Sequence, residues 1–391
     1  MQLSIVLRED IAMKPPRPIK VMHVIARMNV GGPAVLVADL MRNFDTRKVD
    51  SILVTGYCDS HESDYLDEVA TDVAAIRLPG LGRSISLIND FNAFFLLLRE
   101  IRKFHPDVIH THTAKAGVLG RVAGLIAAPR AKSVHTFHGH LLHGYFGQGK
   151  SQIFVFVEKL LAVCTTRLVA IGNNVKRDLL EVGVGSEAKY EVIFPGVQPL
   201  HIHPKIKARQ ELGLDPDKKY FVFIGRLTQI KRPDRLLDIA RFLKMNFSDS
   251  HILIAGAGEL LGTIKSESEA ESLPITFLGW RNDIDLILSA ADIAILCSDN
   301  EGIPLTLIQA AQAGLPIIST NVGSVSDIVS HGVNGLLTET SSRGLMSAAK
   351  SLLESASMRD EFGKSGKKRA LQYFTSEVMV KHHERLYSHI I

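Results

Sequence analysis

Short apolar runs typical of buried strands alternate with helical patterns along the whole chain, and the alternation starts again halfway. Seven strands are predicted in the first half, at 20–26, 51–56, 74–78, 108–112, 133–137, 168–171 and 191–194. Six are predicted in the second half, at 220–224, 251–255, 275–278, 293–296, 316–319 and 335–337. Such alternation is typical of α/β folds with parallel sheets. The sequence therefore predicts two Rossmann-like, doubly wound domains facing a central cleft, where ligands bind at the strand ends.

The chain of 391 residues is too long for one ordinary hydrophobic core, which also favours two domains. A poorly periodic segment rich in Pro and His, 195–207, is predicted to be a linker between them. We divide the chain into a disordered leader, an N-terminal domain, a C-terminal domain and a last helix. Their predicted ranges are 1–18, 19–198, 199–373 and 374–391.

Composition limits the class of protein and its compartment. No apolar run reaches the roughly 20 residues that span a bilayer, and the first residues lack a signal-peptide pattern. Cys58, Cys164 and Cys297 lie far apart and are expected to be reduced, so a cytoplasmic protein is predicted. The net charge of +4 is too mild for a nucleic-acid-binding protein. Residues 1–198 hold 23 Lys and Arg against 19 Asp and Glu, which is compatible with peripheral contact with an anionic membrane.

The segment from Glu301 to Gln309 carries the strongest local signal for a ligand site. It follows the apolar run 293–297, Gly302 permits a tight turn, and Pro304 suits the first turn of a helix. Free N–H groups at such a helix start bind anions, and the Glu301 carboxylate can accept hydrogen bonds from sugar hydroxyls. An ordinary acidic turn is the alternative interpretation.

Two cations follow the first predicted strand of the second half. Gly225 and Arg226 end this strand, and Lys231 lies at the turn into a helix predicted at 232–244. Both cations are close enough in sequence to reach one diphosphate, whose charge they would neutralise without a metal. A solvated surface pair is the alternative.

Further glycines lie at predicted strand ends on the same edge. Gly31 and Gly32 open the first helix and allow a ligand to approach the backbone, but the G-x-G-x-x-G pattern of dinucleotide sites is missing. Gly256 ends a strand of the second half. Trp280, the only tryptophan, is predicted either to flank a nucleotide base or to pack internally.

Histidines are concentrated between the fourth and fifth predicted strands. They are His105, His110, His112, His135, His138, His140 and His143. A metal site is one interpretation, but catalytic zinc has a clearer ligand set, and we expect no metal. His138 follows a strand and is predicted to hydrogen-bond a substrate hydroxyl, whereas His105 and His110 are expected to be core or capping residues.

A helix predicted at 86–103 has a broad apolar face and a basic end. The face includes Leu87, Ile88, Phe91 and Phe95. It is interpreted either as a helix packed on the sheet or as a patch that lies at a membrane surface.

Taken in order, these motifs resemble the retaining glycosyltransferases of family 4, which have the GT-B fold. They are Gly31-Gly32, His138, Gly225-Arg226 with Lys231, Gly279-Trp280 and the segment from Glu301 to Gln309. The resemblance covers residues 19–390. The stretches 110–117 and 136–140 are similar to a subgroup that builds bacterial envelope polysaccharides.

The resemblance implies a metal-independent hexosyltransferase without a cofactor, which moves a sugar from a nucleotide donor to a glycan or lipid-linked acceptor. A UDP-linked donor is expected. The resemblance implies that Arg226 and Lys231 hold the diphosphate and that Glu301 contacts the donor sugar. The backbone that would meet phosphate belongs to Ile303, Pro304, Leu305 and Thr306. The last helix would cross back onto the N-terminal domain.

One position departs from the family pattern, which has two glutamates where this chain has Glu301 and Gln309. An amide is therefore expected to bind the nucleotide ribose. Two alternatives stay open. A sugar-nucleotide epimerase or hydrolase of the same fold would convert the donor without an acceptor, and a catalytically impaired nucleotide-sugar-binding protein is favoured by Gln309.

Overall fold

The computed structural model describes residues 17–60, 62–139 and 148–391. Most of the predicted leader, as well as His140 and His143, lies outside these residues. Arg17, at the end of the predicted leader, donates two hydrogen bonds to the Asp107 carboxylate, at 2.7 and 2.8 Å.

The first domain is built on a parallel sheet of seven strands. They are β1 (Ile19–Ile25), β2 (Val49–Thr55), β3 (Ala75–Arg77), β4 (Val108–His112), β5 (Lys132–Phe137), β6 (Arg167–Ala170) and β7 (Tyr190–Val192). The helices between them are α1 (Gly32–Asn43), α2 (Tyr65–Glu68), α3 (Leu87–Phe104), α4 (Ala114–Ala127), α5 (Gln148–Cys164) and α6 (Asn173–Glu181). The strand order is β3-β2-β1-β4-β5-β6-β7. The order reverses beside β1, as expected of a doubly wound sheet.

The second domain repeats this plan with six parallel strands. They are β8 (Lys219–Ile224), β9 (Ser250–Ala255), β10 (Ile275–Gly279), β11 (Ile293–Leu296), β12 (Ile317–Thr320) and β13 (Gly335–Thr338). Its helices and those that follow are α7 (Lys205–Glu211), α8 (Asp234–Asn246), α9 (Leu261–Ala270), α10 (Ile284–Ala290), α11 (Leu305–Gln312), α12 (Val325–Ile328), α13 (Ser342–Glu354), α14 (Ala356–Tyr373) and α15 (Ser376–Ile390). The order is β10-β9-β8-β11-β12-β13. The predicted pair of doubly wound domains is therefore confirmed.

Each predicted strand is present and ends within about two residues of its predicted bounds. Two predicted boundaries were wrong, and proline explains both. Helix α7 begins inside the predicted linker, directly after Pro204, whose fixed φ suits a helix start. The helix predicted from residue 232 begins at Asp234, after Pro233, because Arg232 adopts a left-handed φ of 50° that ends a 3-10 turn.

Helices cover both faces of the first sheet. The right-handed crossovers that connect β3 to β6 put α3, α4 and α5 side by side on one face. The opposite face carries α1, and α15 packs against α1 although it is the last helix of the chain. Glu384 of α15 accepts hydrogen bonds from the Lys48 ammonium at 2.8 Å and from the backbone N–H of Asp45 at 3.0 Å. In the described ranges, no helix combines the length and apolar character needed to cross a membrane.

The start of helix α6 is capped by residues of the other domain. Its N-cap residue, Gly172, has no side chain to offer to the free N–H groups of the first turn. Instead, the Asp327 carboxylate accepts from both the backbone N–H and the side-chain amide of Asn173, each at 2.7 Å. The Ser324 hydroxyl accepts from the backbone N–H of Val175 at 3.3 Å. These bonds join the two domains beside the cleft.

The two backbones also touch at the cleft itself. A Cβ at Gly302 would lie 2.8 Å from the carbonyl oxygen of His138 and 3.1 Å from the Cα of Gly139. A side chain at position 302 would therefore push the domains apart. Glycine permits this approach, which brings the strand ends of both sheets to one site.

Replacing Asp327 with alanine removes the cap that α6 receives from the other domain. We expect the backbone amide of Asn173 to exchange with solvent faster by roughly 10- to 100-fold, because hydrogen bonds to a charged group contribute about 1.5–3 kcal/mol. Hydrogen exchange followed by mass spectrometry measures this change. Asp360→Ala is the matched control, because Asp360 is exposed and pairs with Lys364 of its own helix. Equal protection in both variants would show that the cap is not formed in solution.

Candidate functional site

An ion pair marks the carboxyl edge of the second sheet. The Lys231 ammonium donates a hydrogen bond to Oε1 of Glu301 at 2.5 Å, although the two residues are 70 positions apart. Lys231 ends the 3-10 turn after β8, and Glu301 follows β11, the neighbouring strand. The side chain of Glu301 is only 8% exposed and that of Lys231 is 21% exposed. The sequence predicted both residues for a donor site but did not predict that they pair.

Neighbouring polar groups fix the position of this pair. The Ser298 hydroxyl donates to the same Oε1 of Glu301 at 2.6 Å. The backbone carbonyl of Ser298 accepts in turn from the Thr320 hydroxyl at 2.6 Å. The Cys297 thiol contacts the carbonyl oxygen of Lys231 at 3.3 Å, and burial raises the pKa of this thiol to about 12. The carboxylate is thus held by residues at the ends of β11 and β12.

Helix α11 begins four residues after Glu301. Pro304 is its N-cap, and Gly314 has a left-handed φ of 78° just after its end. Ile303 and Pro304 are buried, whereas Leu305 and Thr306 are half-buried at the helix start. A Cβ at Gly32 would lie 4.0 Å from Cδ1 of Leu305, so the loop of Gly31 and Gly32 faces this helix start from the first domain. The structure therefore places the predicted glycine pair next to the predicted anion site.

Backbone contacts connect the strand ends at Gly225 and Gly256. Gly256 has a φ of 147°, and a Cβ there would lie 1.9 Å from the carbonyl oxygen of Gly225. Its N–H donates to the carbonyl of Gly279 at 2.7 Å. Only glycine fits at position 256, where the loops after β8 and β9 lie directly against each other.

Three predicted site residues are near this edge by topology but are not linked to it by side-chain bonds. Within 17–60, 62–139 and 148–391, no hydrogen bond or ion pair is made by the side chains of Arg226, Trp280 and Gln309. Arg226 is exposed and Gln309 is half-buried. Trp280 is 55% exposed, so the alternative that it packs internally was wrong.

Histidines form a connected cluster at the carboxyl edge of the first sheet. Nε2 of His138 is 3.0 Å from Nδ1 of His112, and Nε2 of His112 is 3.1 Å from Nδ1 of His23. The rings of His110 and His112 lie 4.3 Å apart. His110 is bonded to the Tyr387 hydroxyl of α15 at 2.6 Å and to the Thr136 hydroxyl at 2.7 Å. The predicted core role of His110 agrees with this environment.

These imidazoles are neutral at pH 7. Burial, with a smaller contribution from the field of His383, lowers the pKa of both His23 and His138 to about 3. Burial also lowers the pKa values of His110 and His112 well below the ordinary value for histidine. A neutral ring has one N–H donor and one lone pair, so each ring can both donate and accept a hydrogen bond.

Three of these rings also have the spacing of a metal site. One nitrogen each of His23, His110 and His112 lies within 4.8 Å of the others, and neutral imidazoles suit Zn²⁺. However, both nitrogens of His112 already take part in hydrogen bonds to other rings. A metal bound there would have to replace at least one of these bonds.

Several residues of the site were missed by the sequence analysis. Ser298 and Tyr387 gave no local signal, and Tyr387 is 277 positions from its partner His110. His23 did give a signal, because it is a polar residue in the middle of an apolar strand and is fully buried. The capping residues Ser324 and Asp327 precede or occupy a helix of only four residues, too short to be recognised from its pattern.

Comparisons with known proteins match this architecture. Residues 30–199 match the family profile described as Glycosyltransferase Family 4, and residues 204–369 match that described as Glycosyl transferases group 1. An Escherichia coli protein named UDP-Gal:alpha-D-GlcNAc-diphosphoundecaprenol alpha-1,3-galactosyltransferase is 33% identical over 286 residues, covering 71% of this chain and 73% of its own length. The O-antigen biosynthesis glycosyltransferase WbnH of Escherichia coli is 26% identical over 319 residues, covering 81% and 85%.

Structural similarity extends over nearly the whole chain. The crystal structure of Anabaena HepE in complex with UDP has a TM-score of 0.79 at 20% identity and covers 95% of this chain and 100% of HepE. This similarity supports the fold, and the two profiles and the first relative identify the family. The chain belongs to the family 4 glycosyltransferases and has their GT-B arrangement of two doubly wound domains.

Proposed function

We propose that this glycosyltransferase moves a hexose from a UDP-linked donor to a lipid-linked sugar during the synthesis of cell-envelope polysaccharide. The observation that carries the proposal is the Lys231–Glu301 pair beside the start of α11, opposite the backbone of His138 and Gly139. A cation, a carboxylate and free helix N–H groups together match a diphosphate joined to a sugar. The Escherichia coli relative is named for transfer from UDP-galactose to a GlcNAc on diphosphoundecaprenol, which makes these the first substrates to test.

In this proposal Lys231 and Arg226 bind the diphosphate. Lys231 exchanges its bond to Glu301 for bonds to phosphate oxygens, and the exposed Arg226 approaches the same group. Their positive charges stabilise the negative charge that develops as the bond from the sugar to the diphosphate breaks. Because two cations supply this stabilisation, we expect transfer without a divalent metal.

Glu301 and His138 orient the donor sugar from opposite sides of the cleft. The freed carboxylate of Glu301 accepts bonds from sugar hydroxyls, and the His138 ring meets a hydroxyl from the first domain. The acceptor hydroxyl attacks from the face that the diphosphate leaves, and its proton passes to a diphosphate oxygen. The new glycosidic bond forms on the face from which the sugar–diphosphate bond is lost, so the anomeric configuration is retained.

Other predicted residues complete the donor site. The backbone at Gly225, Gly256 and Gly302 lets the nucleotide approach closely, and the exposed ring of Trp280 is suited to flank the base. Gly31 and Gly32 face the same helix start as the phosphate. We also propose the domain ranges 19–198 and 199–373, with residues 374–391 belonging structurally to the first domain. The contacts of Glu384 with Asp45 and Lys48 support this assignment.

The direct test is transfer from UDP-galactose, UDP-glucose and UDP-GlcNAc to a GlcNAc-diphospholipid, followed by chromatography. We expect transfer from a UDP-linked hexose that EDTA does not reduce. Lys231→Ala and Arg226→Ala should each lower kcat/KM by on the order of 10²–10³, the loss found when one preorganised charge stabiliser is removed. Lys265→Ala is the matched control, because Lys265 is exposed on α9, where it pairs with Glu269 of its own helix.

Other results would identify an alternative. Conversion of the donor at equal rates with and without an acceptor would favour an epimerase or hydrolase. Binding of UDP-sugars without any transfer would favour a nucleotide-sugar-binding protein. Activity that is lost with EDTA and restored by Mg²⁺ or Mn²⁺ would show that the proposed metal independence is wrong.

Gln309 is proposed to bind the ribose of the nucleotide. It lies on α11, just over one turn after the phosphate-binding start, and its side chain is half-buried. An amide can accept from one ribose hydroxyl and donate to another. Compared with a glutamate, it lacks a charge, and hydrogen bonds to charged groups are roughly twice as strong.

Substitutions at Gln309 test this role by calorimetry with UDP. Gln309→Ala should weaken binding by about 1–3 kcal/mol, because it leaves ribose hydroxyls unpaired. Gln309→Glu should preserve binding or tighten it modestly, because the acceptor gains a charge. Gln210→Ala, on the exposed surface of α7, serves as the control. Wild-type affinity in Gln309→Ala would show that Gln309 is only a helix residue.

A membrane contact is proposed for the face of the first domain that α3, α4 and α5 cover. This face exposes large apolar side chains, with Leu87 at 87%, Ile88 at 84%, Phe91 at 66% and Phe95 at 51% on α3. Helix α5 adds Ile153 at 67%, Phe156 at 61%, Leu160 at 57% and Val163 at 78%. An apolar surface of this extent is typical of an interface.

Charge supports an anionic lipid surface as the partner. Arg99, Arg102 and Lys103 are exposed at the end of α3, next to its apolar residues. The buried ion pair of Arg121 and Glu158, with Nη2 to Oε1 at 2.7 Å, fixes α4 against α5 and so keeps the apolar helices on one surface. A lipid-linked acceptor would be reached from such a surface. The proposed contact is compatible with the packing of α3 on the sheet, because the helix packs there through its other face, with Ala93, Leu97 and Ile101.

Co-sedimentation with liposomes tests the membrane contact. Wild-type protein should bind vesicles that contain phosphatidylglycerol, and binding should weaken as salt screens the charges. The double variant Phe91→Ser/Phe156→Ser should bind several-fold less, because it removes apolar area from both helices. Met245→Ser, which changes a side chain 77% exposed on α8, is the control. Absence of binding to both anionic and neutral vesicles would contradict the proposal.

A further inference from the structure

Three imidazoles form a continuous hydrogen-bonded chain from the cleft into the core of the first domain. His138 follows β5, His112 ends β4 and His23 lies in the middle of β1, so the rings cross three neighbouring strands. The two ring-to-ring distances are 3.0 and 3.1 Å. His23 is 0% exposed and cannot touch a substrate in the cleft.

The hydrogen-bonded chain of imidazoles permits only two arrangements of its protons. A bond between two neutral imidazoles requires an N–H on one nitrogen and a lone pair on the other. Since His112 has a single proton and uses both nitrogens, its tautomer fixes the tautomers of both neighbours. Either all N–H groups point inward from His138 to His23, or all point outward from His23 to His138.

The inner end of the chain favours the outward arrangement. Nε2 of His23 is buried and has no hydrogen-bond partner in the described residues. In the inward arrangement this atom would be an N–H donor without an acceptor, and in the outward arrangement it is a bare lone pair. Buried donors without a partner are rarer in native proteins than buried acceptors without one. The outward arrangement leaves His138 with its proton on Nδ1, the nitrogen that is not bonded to any described residue.

We propose that His112 and His23 are positioning residues that hold His138 as the Nδ1–H tautomer, so that this ring donates a hydrogen bond to a hydroxyl oxygen of the donor sugar. The inference rests on the proposed function for the identity of the sugar ligand. It adds a role for two residues that never meet the substrate. It also predicts the direction of the hydrogen bond, with the protein as donor and the sugar as acceptor.

The chain of imidazoles is poorly suited to two other roles. A proton relay would require a charged ring, and burial lowers the pKa of His138 to about 3, so the ring is neutral at pH 7. A metal at His23, His110 and His112 would take ring nitrogens that the hydrogen bonds use.

The tautomer can be measured directly and without substrate. In full-length protein labelled with ¹⁵N-histidine, two-bond ¹H–¹⁵N correlations distinguish an Nδ1–H ring from an Nε2–H ring. The His138 signals are assigned by their loss in His138→Gln. We expect wild-type His138 to carry its proton on Nδ1. His23→Asp, whose carboxylate only accepts hydrogen bonds, should draw the His112 proton to Nε2 and shift His138 wholly or partly to the Nε2–H form.

Activity provides a second readout with a matched pair of variants. His23→Asp replaces the inner donor by an acceptor and should lower kcat by about 10- to 100-fold, the range found when the hydrogen-bond partner of a metal-binding histidine is lost. Affinity for UDP should be unchanged. His23→Asn, whose amide can donate from the position of Nδ1, should recover at least part of the lost kcat. His251→Leu, which removes a histidine bonded to Thr276 in the other sheet, should leave the His138 spectrum unchanged.

Three results would overturn the inference. They are an Nε2–H tautomer of His138 in the wild-type protein, an unchanged His138 tautomer in His23→Asp, and stoichiometric Zn²⁺ binding that is lost in His23→Leu. Failure of the proposed function gives a different result. An Nδ1–H His138 in a protein that transfers no sugar from any UDP-linked donor would uphold the tautomer and refute the function.

Discussion

The site depends on a carboxylate of one domain that caps a helix of the other. Asp327 accepts hydrogen bonds from the backbone N–H and the side-chain amide of Asn173 at the start of α6, where the N-cap Gly172 has no side chain. This interaction joins the two domains beside the point where Gly302 lies against the backbone of His138. Neither sheet alone contains both a histidine donor and a paired lysine and glutamate. The proposed donor site is therefore built from residues of both domains.

Charge in the cleft is balanced locally. On one side Lys231 and Glu301 neutralise each other, and on the other side the buried histidines are neutral. A sugar diphosphate would bring negative charge into this environment, where Lys231 can change partners and the exposed Arg226 can add a second cation. This arrangement combines a stable free protein with strong interactions for a charged leaving group, because the ion pair avoids an unpaired buried charge.

Local patterns in the sequence predicted the strands and the helix start at Pro304, since these follow from periodicity and from glycine and proline. They could not predict contacts between distant positions. The pairing of Lys231 with Glu301 depends on the adjacency of β8 and β11, and the cap of α6 depends on how the domains meet. The predicted histidine cluster was local in sequence, because its members lie between residues 105 and 143. Their connected cluster in the structure also includes His23 and the Tyr387 hydroxyl bonded to His110, from opposite ends of the sequence.

Helix α15 has a consequence for the order in which this protein folds. It is made after the whole second domain, yet it packs on α1 and places the Tyr387 hydroxyl against His110 in the first sheet. Domains generally fold as units during synthesis, the N-terminal one first. Here the part of the first domain that α15 covers, including the buried His110, stays uncovered until the chain beyond the second domain has been made. The domain that is translated first is thus completed after the domain that follows it.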